Sequence, residues 1–170
     1  MDVFDAISQR YSCRSYQDKS IAPDKLDRVL EAARLAPSAR NLQDWRFVVV
    51  TDPDERAKLA TAANNQKMVA SAPVIIVACS NMSYRMRCGQ MIGPIDVSIA
   101  LEHISLQAVE EGLGTCWIGS FYHDKVRQVL DIPNGVEIIQ LMLVGYPADE
   151  QGKVNRDPIE NIVCYGKWKF

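Results

Sequence analysis

Hydrophobic positions recur along this chain at helical and strand intervals in turn. Val3, Phe4 and Ile7 fall on one helical face behind Asp2, which predicts a helix over Asp2–Arg10 with Asp2 as its N-cap. The polar, β-prone stretch Arg10–Tyr16 reads as extended. A second helix opens at Pro23, which suits the first helical position, carries Leu26, Val29, Leu30 and Ala33 on one face, and stops at Pro37. Pro37–Asp44 reads as a loop and Trp45–Thr51 as a strand, followed by a third helix from Pro53 through Leu59 to about Ala63. The continuous apolar run Val74–Ser80 has the length and β-branching of a buried strand.

Between Asn81 and Gly93 the periodicity dissolves, as in an irregular loop or a mobile lid. A long helix follows from Pro94. Its apolar residues Ile95, Ile99, Leu101, Ile104, Leu106 and Ala108 lie on more than one face, so it should be buried on most sides, inside the fold or at a subunit interface. Gly112-Leu113-Gly114 ends it. A short strand at Thr115–Ile118, a helix at His123–Leu130 and a strand at Val136–Val144 complete the regular part. The tail beyond Pro147 is polar, then aromatic at Tyr165, Trp168 and Phe170.

Helices, strand, helix, strand, helices, strand, helix, strand is an order that implies about four strands covered by helices. Two helices precede the first strand, so the pattern is α+β and not a regular βαβ series. No linker or repeat divides the chain, and residues 1–170 read as a single domain.

Composition narrows the function. With 48% hydrophobic and 24% charged residues, the chain is an ordinary globular sequence. A net charge of −2 and the lack of a basic stripe with interleaved aromatics argue against a nucleic-acid partner. The residues MDVFDAISQR do not form a secretory signal, and no apolar run approaches the roughly 20 residues of a membrane helix. The expectation is a cytoplasmic protein with no membrane partner. Five cysteines without a secretory signal suggest reduced thiols, and His103 and His123 have no metal-ligand spacing, so no metal site is expected. His103 reads as a satisfied core histidine.

Three segments carry candidate chemistry. In an extended stretch Arg10, Ser12 and Arg14 project to one side, where two guanidinium forks and a hydroxyl suit a phosphate; a solvated strand edge is the plainer reading. Pro37-Ser38-Ala39-Arg40-Asn41-Leu42-Gln43 offers amide groups matching a ligand edge that alternates carbonyl and N–H, although an Asn turn before a strand would look alike. Gly112-Leu-Gly114-Thr-Cys-Trp-Ile-Gly119 is not a dinucleotide fingerprint, because its glycines follow a helix and precede a strand. Gly119 could still let backbone approach a flat ligand closely.

Together Arg10-x-Ser12-x-Arg14, Ala36-Pro37-Ser38-x-x-Asn41-x-Gln43-x-Trp45-x-Phe47, Gly112–Gly119 and the late Asn155-Arg156-Asp157-Pro158 closely resemble the nitroreductase-like FMN enzymes. The four motifs come in the family's order and spacing and span almost the whole chain. The resemblance implies an α+β sandwich with a central mixed, mainly antiparallel sheet covered by helices, intertwined as a homodimer with FMN at the interface. It assigns Arg10, Ser12, Arg14 and Arg156 to the phosphate and ribityl end. Pro37, Ser38 and Asn41 would come from the partner subunit and lie against the flavin. Trp117, Ile118 and Gly119 would line the ring, and Asn64 and Lys67 would face its pyrimidine edge. One departure is Asp44, where family members often have proline, and the lid-forming segment is short.

In such enzymes the flavin carries the chemistry, so no side chain need be catalytic. The expected activity is electron transfer from NADH or NADPH through FMN to a small electron-poor acceptor, such as a nitroaromatic or a quinone, by a ping-pong mechanism. A flavin-binding carrier or sensor without nicotinamide turnover would share the same phosphate site. A thiol enzyme built on Cys116 and His123 is a remaining alternative.

Overall fold

A computed structural model describes every residue except Ser83, Gln151 and Lys153. Its elements are α1 (Val3–Gln9), α2 (Pro23–Arg34), β1 (Trp45–Val50), α3 (Pro53–Ala62), α4 (Lys67–Ser71), β2 (Val74–Ser80), α5 (Ile92–Glu110), β3 (Gly114–Ile118), α6 (His123–Val129) and β4 (Glu137–Gly145), with short 3-10 turns at Ala39–Asn41 and Ile159–Asn161.

All seven residues of β2 are buried, because this strand has β1 on one side and β4 on the other. The sheet order is β1-β2-β4-β3, and every strand pair is antiparallel. Parallel pairing is confined, among the described residues, to an isolated bridge between Ser12 and Thr115. Ile75, Val77 and Cys79 point into a core shared with Leu59, Val69 and Val126, under α3, α4 and α6. Val74, Ile76 and Ala78 point the other way, against Val29 and Ala33 of α2 and Val97, Leu101 and Ile104 of α5. The period of two thus makes a helix–sheet–helix sandwich. Each fully buried Leu or Ile contributes about 1.5–3 kcal/mol relative to exposure, so truncating a fully buried side chain such as Leu141 to Ala would cost about 2–5 kcal/mol.

Local signals place the helix starts. The Asp2 side chain accepts the Asp5 N–H at 2.8 Å. Asp52 accepts the Asp54 and Glu55 N–H groups, both at 3.0 Å, with Pro53 in the first turn of α3. In contrast, α5 starts at Ile92, two residues before Pro94, because residues 84–92 close on themselves. Arg85 bridges Met91, the Met86 N–H donates to Gln90 O at 2.8 Å, and the Ile92 N–H donates to Tyr84 O at 3.1 Å. The segment expected to be irregular is therefore partly a small hairpin, and Ser83 within it lies outside the described residues.

Val3, Phe4 and Ile7 of α1 remain exposed, as do Ile159, Ile162, Tyr165, Trp168 and Phe170 of the tail. Among the described residues no helix is long and apolar enough to cross a membrane.

Candidate functional site

Arg10 ends α1 in an extended conformation and starts an arm that lies along β3. The Cys13 N–H donates to Thr115 O at 2.8 Å, the Tyr16 hydroxyl donates to Cys13 O at 2.8 Å, and the Ala148 N–H donates to Ser15 O at 3.0 Å. The alternation expected of an extended stretch follows. Cys13 is buried, and burial pushes its thiol up. Its neighbours Ser12 and Arg14 face a pocket. Close approach of arm and strand depends on Gly114, where a Cβ would lie 2.7 Å from Cys13 Cβ.

The pocket has a volume of about 530 Å³. Arg10, Ser12 and Arg14 line it from the arm, and Arg156 meets them from the tail with Asp149 and Glu150. The Tyr11 hydroxyl ties arm to tail by donating to Asp149 O at 2.9 Å. Among the described residues neither Arg14 nor Arg156 forms an ion pair, so two guanidiniums are available to an anion. Three guanidiniums around a hydroxyl fit a phosphate monoester, which offers several anionic oxygens to such forks.

The far end of β3 supplies a different surface. The Trp117 indole N–H donates to Ser105 Oγ at 3.3 Å, which fixes the ring against α5. Ile118 is buried and pairs with Leu141 of β4, while Gly119 is exposed. Asn64, in a left-handed turn with φ 59°, donates to Ser120 Oγ at 2.9 Å and so joins the end of β3. Lys67 opens α4, a short helix that the sequence pattern did not reveal, and is exposed nearby in the chain.

Pro37, Ser38 and Asn41 are not brought to this pocket within one protomer. Their loop leads into β1, while the arm lies on β3, and these are the opposite edges of the sheet. Three strand spacings separate them, about 14 Å. The loop is nevertheless tightly specified. Arg40, Asn41 and Gln43 all have positive φ, near 54°, 56° and 51°, a costly conformation for non-glycine residues. Ser38 Oγ accepts the Gln43 N–H at 3.0 Å, and Asp96 accepts the Ala39 N–H at 3.0 Å.

Asp44 is buried and accepts the Ser80 hydroxyl, while its other oxygen has no partner among the described residues. Burial raises the Asp96 carboxyl, the Ala39 amide lowers it, and the charge of Asp44 raises it further. Sequence reading could flag Asp44 as unusual but not its pairing with Ser80, which lies 36 residues away. It also missed Tyr11, whose hydrogen bond to Asp149 crosses the chain.

Among the described residues no hydrogen bond joins Cys116 to His123. Cys116 is buried with its thiol pushed up by that burial, and His123 stacks on Phe121 with centroids 4.9 Å apart. His103 is bonded at Nδ1 to Ala32 O at 3.2 Å, as a satisfied histidine should be. Among the described residues no group of three or more His, Cys, Asp or Glu side chains could hold a metal ion.

Known proteins share this fold. A crystal structure of a nitroreductase family protein from Clostridium difficile 630 superposes with a TM-score of 0.90 at 32% identity, covering 99% of this chain and 100% of that one. An FMN-dependent nitroreductase from Clostridium difficile R20291 gives a TM-score of 0.84 at 28% identity, covering 96% and 98%. The NADH dehydrogenase of Thermus thermophilus is 30% identical over 197 residues, covering 97% of this chain and 96% of its own. Residues 7–67 and 60–146 match the sequence profile of the Nitroreductase family. With its sandwich and both long motif regions inside that match, the chain belongs to the nitroreductase family.

Proposed function

We propose that this protein is an FMN-dependent oxidoreductase that passes electrons from NADH or NADPH to a small electron-poor acceptor, working as a homodimer. The observation that carries the reading is the pocket in which Arg10, Ser12, Arg14 and Arg156 converge beside β3. Relatives are named as an NADH dehydrogenase and an FMN-dependent nitroreductase, which supports the same chemistry here.

The donor set fits FMN at its phosphate end, where Arg10, Arg14 and Arg156 would neutralise charge and Ser12 would add a hydrogen bond. Trp117 would wall the ring, and the backbone at Ile118 and Gly119 would meet its edge, with Asn64 and Lys67 beside the pyrimidine portion. Pro37, Ser38 and Asn41 of the partner subunit would cover the other side. The edge-to-edge separation within one protomer supports that division, and the exposed apolar residues of α1 and the tail supply surface for a second copy. Bound there, the flavin would supply two-electron redox chemistry in alternating half-reactions, with a nitroaromatic or quinone as acceptor. The chain's own contribution is to bind, orient and shield.

The test is an absorbance spectrum after incubation with FMN and desalting. Retained flavin bands that disappear in the Arg10→Ala/Arg14→Ala variant support the site, and anaerobic bleaching by NADH or NADPH supports turnover. A colourless wild-type protein would refute the reading. Retained flavin that neither nicotinamide bleaches would leave a carrier or sensor.

A further inference from the structure

Glu102 lies outside the pocket lining yet pairs with one of its arginines. It sits on α5, with its carboxylate 3.8 Å from Arg10 Nε. Three residues on, and so on the same helical face, is Ser105, whose hydroxyl donates to Leu101 O at 3.1 Å and accepts the Trp117 indole N–H at 3.3 Å. The same face of α5 thereby backs the phosphate arm at Arg10 and the ring wall at Trp117. Contact through Nε matters geometrically. A guanidinium approached on its Nε side, here at ion-pair range, keeps its outer pair of N–H₂ groups for another acceptor, and Arg10 lines the pocket.

We propose that Glu102 is a positioning residue: it holds Arg10 by the Nε edge, aims the terminal fork into the pocket, and so sets how strongly the protein prefers a phosphorylated flavin over an unphosphorylated one. The proposal rests on the phosphate reading of the pocket given above. The surroundings suit the role. Glu102 is half-buried, and burial raises its carboxyl, while the Arg10 charge pulls it back toward the charged form. A half-buried carboxylate carried on the long helix α5 is a fixed anchor for that cation.

The experiment measures dissociation constants for FMN and for riboflavin in wild type, Glu102→Gln, Glu102→Ala, Arg10→Ala and Arg10→Ala/Glu102→Ala. Glu102→Gln keeps the shape and guards against misfolding of the alanine variant; thermal melts check both. The expected result is a two- to fivefold loss of FMN affinity in both Glu102 variants, roughly the size of a partly exposed ion pair. Riboflavin affinity should stay unchanged, and no further FMN loss should appear once Arg10 is alanine. Equal weakening of both flavins, a loss that persists in the Arg10→Ala background, unchanged FMN affinity, or tighter FMN binding on removing Glu102 would each overturn the proposal. Failure of the underlying phosphate reading looks different: wild type would not prefer FMN to riboflavin, and Arg10→Ala would change nothing.

Discussion

Gly114→Ala probes the join between arm and sheet with a single methyl group. The new Cβ would stand 2.7 Å from Cys13 Cβ, 2.9 Å from Cys13 Sγ and 3.0 Å from Pro147 Cγ. Favourable carbon contacts begin near 3.5 Å, so the neighbours must retreat by about 0.5–1 Å. Cys13 cannot yield alone, because its N–H is bonded to Thr115 O and its carbonyl to the Tyr16 hydroxyl. The arm must move as a unit and carry Arg10 and Arg14 with it. Overpacking of this kind costs about 1–3 kcal/mol, and at 2–4 °C per kcal/mol for a chain of this length Tm should fall by roughly 2–12 °C. FMN affinity should fall by about tenfold, equivalent to about 1.4 kcal/mol of lost phosphate contact. Thermal melts of the apoprotein and a flavin-fluorescence titration read the two effects separately. Cys13→Ala in the same background removes the sulfur contact but not the Cβ contact, so recovery should be partial. A melting point within about 1 °C of wild type, together with unchanged FMN affinity, would refute the reasoning.

Other outcomes follow from the loop at the opposite edge and from the thiols. Asp96→Asn keeps an oxygen for the Ala39 N–H and removes a buried charge that faces Asp44, so it should raise Tm at neutral pH. Because the folded carboxyl titrates above its unfolded value, the native state binds more protons across that window and wild-type stability falls as pH rises through it. The advantage of Asp96→Asn should therefore shrink as pH is lowered through the same window, and melts across pH check it. Gly93→Ala would place a Cβ 2.5 Å from Ser80 Oγ and break the Ser80–Asp44 bond. A loss of about 1–3 kcal/mol is expected in denaturant titration, partly restored by adding Ser80→Ala. Iodoacetamide should label Cys88 rapidly in the native protein and spare Cys13, Cys79 and Cys116, since these are buried and the Cys79 thiol is pushed up to about 11. Peptide mass spectrometry reads the pattern, and nicotinamide oxidation should survive labelling.

The elements most legible in the sequence are those whose burial is decided locally. Val74–Ser80 is found at the residues its apolar run indicated, since a strand enclosed on both sides must be apolar throughout. The starts of α2 and α3 agree with Pro23 and Pro53, where proline fixes a helix-compatible φ. Lys67–Ser71 was missed because five residues are too few to show a period. The hairpin at residues 84–92 was missed because main-chain hydrogen bonds hold it and leave no hydrophobic pattern. The site divides in the same way. Alternation placed Arg10, Ser12 and Arg14 on one side of an arm, but their meeting with Arg156 and the roles of Tyr11, Glu102 and Ser105 depend on contacts between distant segments, which only the folded chain displays.

The pocket that unites residues 10–15 with Asp149, Glu150, Gly152, Val154 and Arg156 also fixes when it can exist. During synthesis the arm leaves the ribosome first, and at about 5–20 residues per second the tail follows many seconds later. No nascent chain that stops before Asp149 can present both walls. On the proposed reading, capture of a phosphate-bearing ligand thus waits until Arg156 has been made, and it joins two segments far apart in the sequence. A chain that stops before Asp149 lacks one wall of the pocket, so ligand occupancy distinguishes it from one that reaches Arg156.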